Sequence, residues 1–143
     1  MERYLENARK MLSDWKGNSY FFGFDVLGKV GDLASQYGKK AQLIMADLGE
    51  AWMAGIQKPV SDSLREKGVE FEAIAGARPN APREDLYRLA LHVARSRPKV
   101  IIAVGGGSTL DAAKAANVLA TYSPADVQNT LQVSDSMASS VDP

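Results

Sequence analysis

The stretch Val100-Ile101-Ile102-Ala103-Val104-Gly105-Gly106-Gly107-Ser108-Thr109-Leu110-Asp111-Ala112-Ala113-Lys114 decides how the chain is read. Residues 100–104 form a run rich in β-branched side chains, the pattern of a central parallel strand covered on both faces. Three glycines follow, and apolar residues then recur at helical spacing over 110–120. Glycines between a buried strand and a helix let the backbone approach a ligand closely. The N–H groups of Gly107, Ser108 and Thr109 are expected to face outward, where the helix dipole favours an anion. These are the physical requirements of a pyrophosphate cradle. The spacing is not Gly-x-Gly-x-x-Gly, and no Gly-Lys-Ser/Thr occurs, so it is neither the usual Rossmann fingerprint nor a P-loop. The plain alternative is a glycine-rich turn whose Ser108 only caps a helix.

Upstream, helix and strand signals alternate. Tyr4, Leu5, Ala8, Met11, Leu12 and Trp15 predict an amphipathic helix that docks on the core, with Trp15 and Trp52 as core or interface residues. Residues 19–22 are a short strand candidate. Val26, Leu27, Val30, Leu33, Ala34 and Tyr37 predict a helix stopped by Gly38, and residues 39–45 a buried strand. Pro59 fits the first position of a fresh helix ended by Gly68. Residues 69–74 alternate with period two, as a strand near a sheet edge does. Residues 75–82 form a loop by their Gly, Pro and Asn content, and residues 83–95 a helix. The alternation predicts an α/β layer fold with a mainly parallel, Rossmann-like sheet and helices on both faces.

Composition narrows the chemistry. With 143 residues, one domain over 1–121 followed by a connector or truncated tail over 122–143 is expected. The 17 basic residues balance 17 acidic ones, so no global field draws the chain to nucleic acid or anionic lipid. No cysteine and one histidine, His92, exclude disulfides, thiol catalysis and multi-imidazole metal centres made by this chain alone. His92 itself is expected to be a solvated or capping residue. No catalytic residue and no metal ligand is assigned to the chain. No apolar run approaches the about 20 residues that span a bilayer, and no secretory signal is visible, so the cytoplasm is the default location.

Asp47 follows the strand 39–45 at the edge where open α/β sheets bind ligands. A carboxylate there can accept from both ribose hydroxyls of an adenosine and would repel a 2′-phosphate. Helix capping ahead of Gly49-Glu50 is the competing role. Asp111 and Lys114 stand three apart on one helix, and by spacing alone they are a surface pair.

The segment Gly105-Gly106-Gly107-Ser108-x-x-Asp111-x-x-Lys114 after Ile101-Ile102-Ala103-Val104 resembles the signature of the iron-containing (group III) alcohol dehydrogenases. Phe22-Gly23, the helix to Tyr37, Ala46-Asp47, the helix from Pro59, Gly68-Val69-Glu70-Phe71 and a Pro-Asn loop occur in that family's order over about residues 20–121. The resemblance implies an N-terminal nucleotide-binding portion, in which Gly105, Gly106, Gly107, Ser108, Thr109, Asp111 and Lys114 hold a dinucleotide and Asp47 faces its ribose. NAD is expected ahead of NADP. Hydride would pass between nicotinamide and an alcohol or carbonyl carbon. A divalent metal, iron or zinc, would be held by a separate all-helical C-terminal domain that is not part of this sequence, and a homo-oligomer is compatible with the family. Three departures stand out. Nothing after Thr121 matches the family's next cofactor-contacting segment, the metal domain is missing, and Asn80-Ala81 replaces a common Asn-Pro, a change expected to touch only loop stiffness. The first two suggest an inactive chain on its own. A non-catalytic stand-alone nucleotide-binding or interaction module is the alternative.

Overall fold

The computed structural model describes residues 2–121; the expected connector at 122–143 lies outside them. The elements are α1 (Glu2–Lys16), α2 (Val30–Tyr37), β1 (Lys40–Met45), α3 (Ala54–Glu66), β2 (Glu70–Ala75), α4 (Arg83–Ser96), β3 (Val100–Val104) and α5 (Gly107–Thr121). Short 3-10 turns precede α2 at Val26–Lys29 and α3 at Ala51–Met53. The strands form one sheet in the order β2-β1-β3. The Glu70 N–H donates to the Lys39 carbonyl at 2.9 Å, and the Gly76 N–H to that of Met45 at 2.6 Å. On the other side the Lys99 N–H donates to Lys40 and the Ala46 N–H to Val104, both at 2.8 Å. Each pair of bonds advances in the same direction along both strands, so the sheet is parallel. This is the expected Rossmann-like α/β arrangement.

β1 is the central strand. Ala41, Gln42, Leu43, Ile44 and Met45 are all buried, and since successive side chains point to opposite faces, both faces of β1 are covered. The buried Gln42 amide donates to the Glu72 carbonyl at 2.8 Å. β2 alternates in burial, as its period-two sequence predicts, and stands at one edge. Among the described residues β3 pairs with β1 alone. It lies at the other edge of the described sheet and is only half-buried along its length.

The described residues divide into two compact units. One comprises 2–43, 47–74 and 98–102, and the other 44–46, 75–97 and 103–121, so β1 and β3 each pass from one into the other. In the first unit α2 packs on α3 around buried Ala34, Val60 and Leu64. In the second α4 packs on α5 through Leu89, Val93, Ala112, Ala113 and Ala116. The alanines of α5 supply the small surface that close helix packing uses.

Several expectations need correction. No residue of α1 is buried, and Trp15 and Trp52 are 74% and 59% exposed, so neither tryptophan is a core residue. Residues 20–22 form no strand, because no described strand pairs with them and aromatic β propensity alone cannot supply a ladder. Pro59 lies inside α3, not at its start. Its missing N–H leaves the Gly55 carbonyl without its helical donor, and Gly55 is exposed, so water can satisfy that carbonyl. His92 is half-buried, and its Nδ1 is shielded from solvent with no hydrogen-bond partner among the described residues.

Candidate functional site

The glycine run lies in the second unit, and the structure assigns its members different tasks. Gly105 belongs to the packing. Its φ is +155°, and a Cβ there would come within 2.7 Å of Ala46 Cβ and 3.0 Å of Thr109 Cβ. Gly76 meets the same cluster, with a Cβ 2.7 Å from Thr109 Oγ1 and 3.2 Å from the Ala46 nitrogen. Gly76, Gly105, Ala46 and the buried Thr109 therefore close on one another where no further carbon fits. Thr109 is a packing residue below the loop, which differs from its expected outward role.

Gly106 and Gly107 behave in the opposite way. Both are exposed, and a Cβ at either would meet nothing within 4 Å. α5 begins at Gly107, three residues before its apolar periodicity, so Gly107 and Ser108 form its first turn. The Thr109 and Leu110 N–H groups donate to the Gly106 carbonyl, each at 3.1 Å. Thr109 thus withdraws from the expected anion donors. The Gly107 and Ser108 N–H groups keep no protein acceptor among the described residues, as the first N–H groups of a helix do. The Ser108 hydroxyl accepts the Asn80 N–H at 3.1 Å. Asp111 and Lys114 pair with each other at 3.2 Å, 73% and 78% exposed, one turn further along α5.

Asp47 belongs to the first unit. It is exposed, with φ +47° in the turn that follows β1, and its carbonyl accepts the Glu50 N–H at 3.0 Å. The 3-10 turn that follows is capped by no side chain, so the helix-cap role is not what Asp47 performs.

The sequence reading missed the group that holds the neighbouring loop. Asp85, 7% exposed, accepts the Arg78 backbone N–H at 2.8 Å and the Arg78 Nε at 3.0 Å. Arg88 donates to the Ala75 carbonyl at 2.9 Å and to the Gly76 carbonyl at 2.7 Å. The signal was present: Asp85 precedes Leu89 and Val93 at helical spacing, a carboxylate in register with the buried stripe of α4. The turn between these anchors holds Asn80 at φ +65° and Ala81 at φ +45°. A proline ring cannot adopt the Ala81 φ of +45°, so a proline at this position would change the path of the loop and not only its stiffness.

Hydrogen bonds from the Arg78 side chain and backbone hold the Asp85 carboxyl below its usual range. The Lys67 hydrogen bond does the same for Asp32, and the Lys58 hydrogen bond for Asp62. A carboxyl depressed in the folded state contributes stability above its unfolded pKa and loses that contribution as pH falls through the folded value. Thermal stability is therefore expected to decline as pH drops below about 4. Asp85→Asn should make that acid slope shallower in melts recorded at descending pH. An identical slope in the variant would show that Asp85 is not among the groups responsible.

Among the described residues no group of three or more His, Asp or Glu side chains is placed to hold a metal ion. The start of α5 does fit a dinucleotide phosphate, because free N–H groups lie beside open space at Gly106. No described helix is long and apolar enough to cross a membrane.

A parallel α/β sheet in which a strand runs into glycines at a helix N-terminus defines a Rossmann-like protein. The iron-containing alcohol dehydrogenase family model matches residues 17–140, and the chain belongs to that family. It is 36% identical over 88 residues to an NADPH-dependent butanol dehydrogenase of Clostridium saccharobutylicum, covering 62% of this chain and 22% of the relative. It is 34% identical over 107 residues to a 1,3-propanediol dehydrogenase of Klebsiella pneumoniae, covering 73% and 27% respectively. The crystal structure of an NADH-dependent butanol dehydrogenase A from Thermotoga maritima superposes with a TM-score of 0.65 at 27% identity, over 74% of this chain and 26% of that one. The chain spans about a quarter of the length of the curated relatives it matches.

Proposed function

We propose that this chain supplies the dinucleotide-binding part of an NAD(P)-dependent, metal-assisted alcohol dehydrogenase whose substrate is a small alcohol or carbonyl compound. The observation that carries the reading is the exposed start of α5, where the Gly107 and Ser108 N–H groups lack acceptors beside open space at Gly106. A dinucleotide held by the Gly107 and Ser108 N–H groups would supply hydride-transfer chemistry toward the oxygen-bearing carbon of the substrate. The chain's own contribution is binding and orientation. Two backbone donors at the positive end of a helix hold a phosphate, and the absence of side chains at Gly106 and Gly107 lets it come within hydrogen-bond distance. Titration of the chain with NAD in a calorimeter tests this, and heat of dilution alone at millimolar NAD would overturn it.

Asp47 is the proposed determinant of cofactor choice. Its carboxylate has no ion-pair or capping partner among the described residues, which supports a role in holding ribose hydroxyls. Relatives carry both NADPH-dependent and NADH-dependent names, so the choice rests on individual residues and not on the family as a whole. A negative charge repels a 2′-phosphate as well as accepting from a 2′-hydroxyl, so NAD is preferred. Asn and Gly both tolerate the φ of +47°, so Asp47→Asn and Asp47→Gly remove the charge without backbone strain. Each variant is expected to shrink or reverse the NAD/NADP preference by roughly tenfold or more, the scale of a hydrogen bond to a charged group. An unchanged ratio of dissociation constants would remove Asp47 from the site.

A further inference from the structure

We propose that Asp85 is a positioning residue for the dinucleotide site: it fixes the Arg78 turn so that Asn80 occupies a lone pair of Ser108 Oγ and turns the Ser108 hydroxyl proton toward the ligand phosphate. The inference rests on the dinucleotide reading of the α5 N-terminus.

A serine hydroxyl has one proton to give and two lone pairs to receive with. The Asn80 N–H donates to Ser108 Oγ at 3.1 Å, which fills one lone pair and bars the hydroxyl proton from that direction. Ser108 is then left with its proton for an outside acceptor, next to its own N–H and that of Gly107, neither of which has a protein acceptor among the described residues. Three donors converge on one anion only while Asn80 stays where it is.

Asn80 cannot hold that place by itself. It and Ala81 have φ values of +65° and +45°, and the left-handed conformation is unfavourable for a side chain as plain as alanine's. The turn is held from outside. Asp85, anchored in the first turn of α4, grips Arg78 by its backbone N–H at 2.8 Å and its Nε at 3.0 Å. The Ala81 N–H closes onto the Arg78 carbonyl at 3.0 Å, so the grip on Arg78 passes directly to the residues that present the Asn80 N–H. Arg88 ties the beginning of the same loop by bonds to the Ala75 and Gly76 carbonyls. Asp85 and Arg88 approach each other at 3.8 Å, so one face of α4 anchors both parts of the loop. Asp85 is buried where an apolar residue would continue the Leu89 and Val93 stripe, a costly place for a carboxylate with only a surface role.

A double-mutant cycle separates positioning from general support. NAD dissociation constants are measured calorimetrically for the native chain, Asp85→Asn, Ser108→Ala and the double variant, with Gly106→Val as a control. Asp85→Asn is expected to weaken NAD roughly tenfold in the native background, the loss of about one hydrogen bond to a charged group, and less than twofold once Ser108 is alanine. Equal losses in the two backgrounds, or no loss in the native one, would overturn the proposal. Should Asp85→Asn not fold, Arg78→Ala takes its place in the cycle under the same two criteria, since it removes the side-chain half of the grip and leaves the backbone half. NAD affinity unchanged in Gly106→Val would instead overturn the dinucleotide reading, and this proposal with it.

Discussion

Gly106→Val is expected to weaken NAD binding at least about a hundredfold while leaving the melting temperature within a few degrees of the native chain. The two halves of this result have separate causes. A Cβ at Gly106 meets nothing within 4 Å, so the folded chain has room for the new side chain. The same open space is what a phosphate would fill on its way to the Gly107 and Ser108 N–H groups. Two methyl groups there would hold an anion outside hydrogen-bond range of both donors. Each charge-assisted bond contributes about 1.5–3 kcal/mol, so losing the pair exceeds a hundredfold. Gly105→Ala, one residue earlier, is expected to do the reverse and damage the fold first, because its Cβ would press on Ala46 and Thr109. Native affinity in Gly106→Val would show that the glycine run is a turn and nothing more.

Only part of this division of labour was legible in the sequence. The order of helices and strands after residue 25, the parallel sheet and the glycine-to-helix junction follow from periodicity and punctuation, which are local properties. Which strand is central is not local. Residues 100–104 carry the composition of a central strand, and among the described residues it is β1, with a glutamine in it, that pairs on both sides, because pairing partners and not composition decide position in a sheet. The three glycines look alike in a sequence, and they separate only when Ala46 and Thr109 arrive from other parts of the chain to crowd Gly105 and leave Gly106 open. Asp85 was hidden for a similar reason. A carboxylate in the first turn of a helix reads as a favourable dipole partner. Its grip on Arg78 depends on a loop path that composition does not specify.

Gly31 extends that lesson to stability, with a sign that local propensity gets wrong. Inside α2, replacing glycine by alanine should stabilise the helix by about 0.5–1 kcal/mol through lost backbone freedom in the unfolded chain. A Cβ on Gly31, however, would come within 2.1 Å of the Ser63 carbonyl oxygen and 2.8 Å of Ser63 Oγ, far inside van der Waals contact. Backbone oxygen on a packed helix cannot swing aside as a flexible side chain does. The hydroxyl of Ser63 is committed as well, accepting the Gly31 N–H at 2.9 Å and donating to the Gly28 carbonyl at 2.6 Å. Relieving the overlap means prying α2 from α3 and breaking both bonds, beside a contact floored by Val60 and Leu64. Overpacking of this kind costs about 1–3 kcal/mol and more when backbone must move, so Gly31→Ala is expected to destabilise by at least about 3 kcal/mol. Gly28→Ala, where a Cβ meets nothing within 4 Å, is the matched control and should be near neutral. Denaturant unfolding of the two variants decides the matter: equal midpoints would mean that propensity governs both positions and that the close approach at Ser63 does not hold in solution.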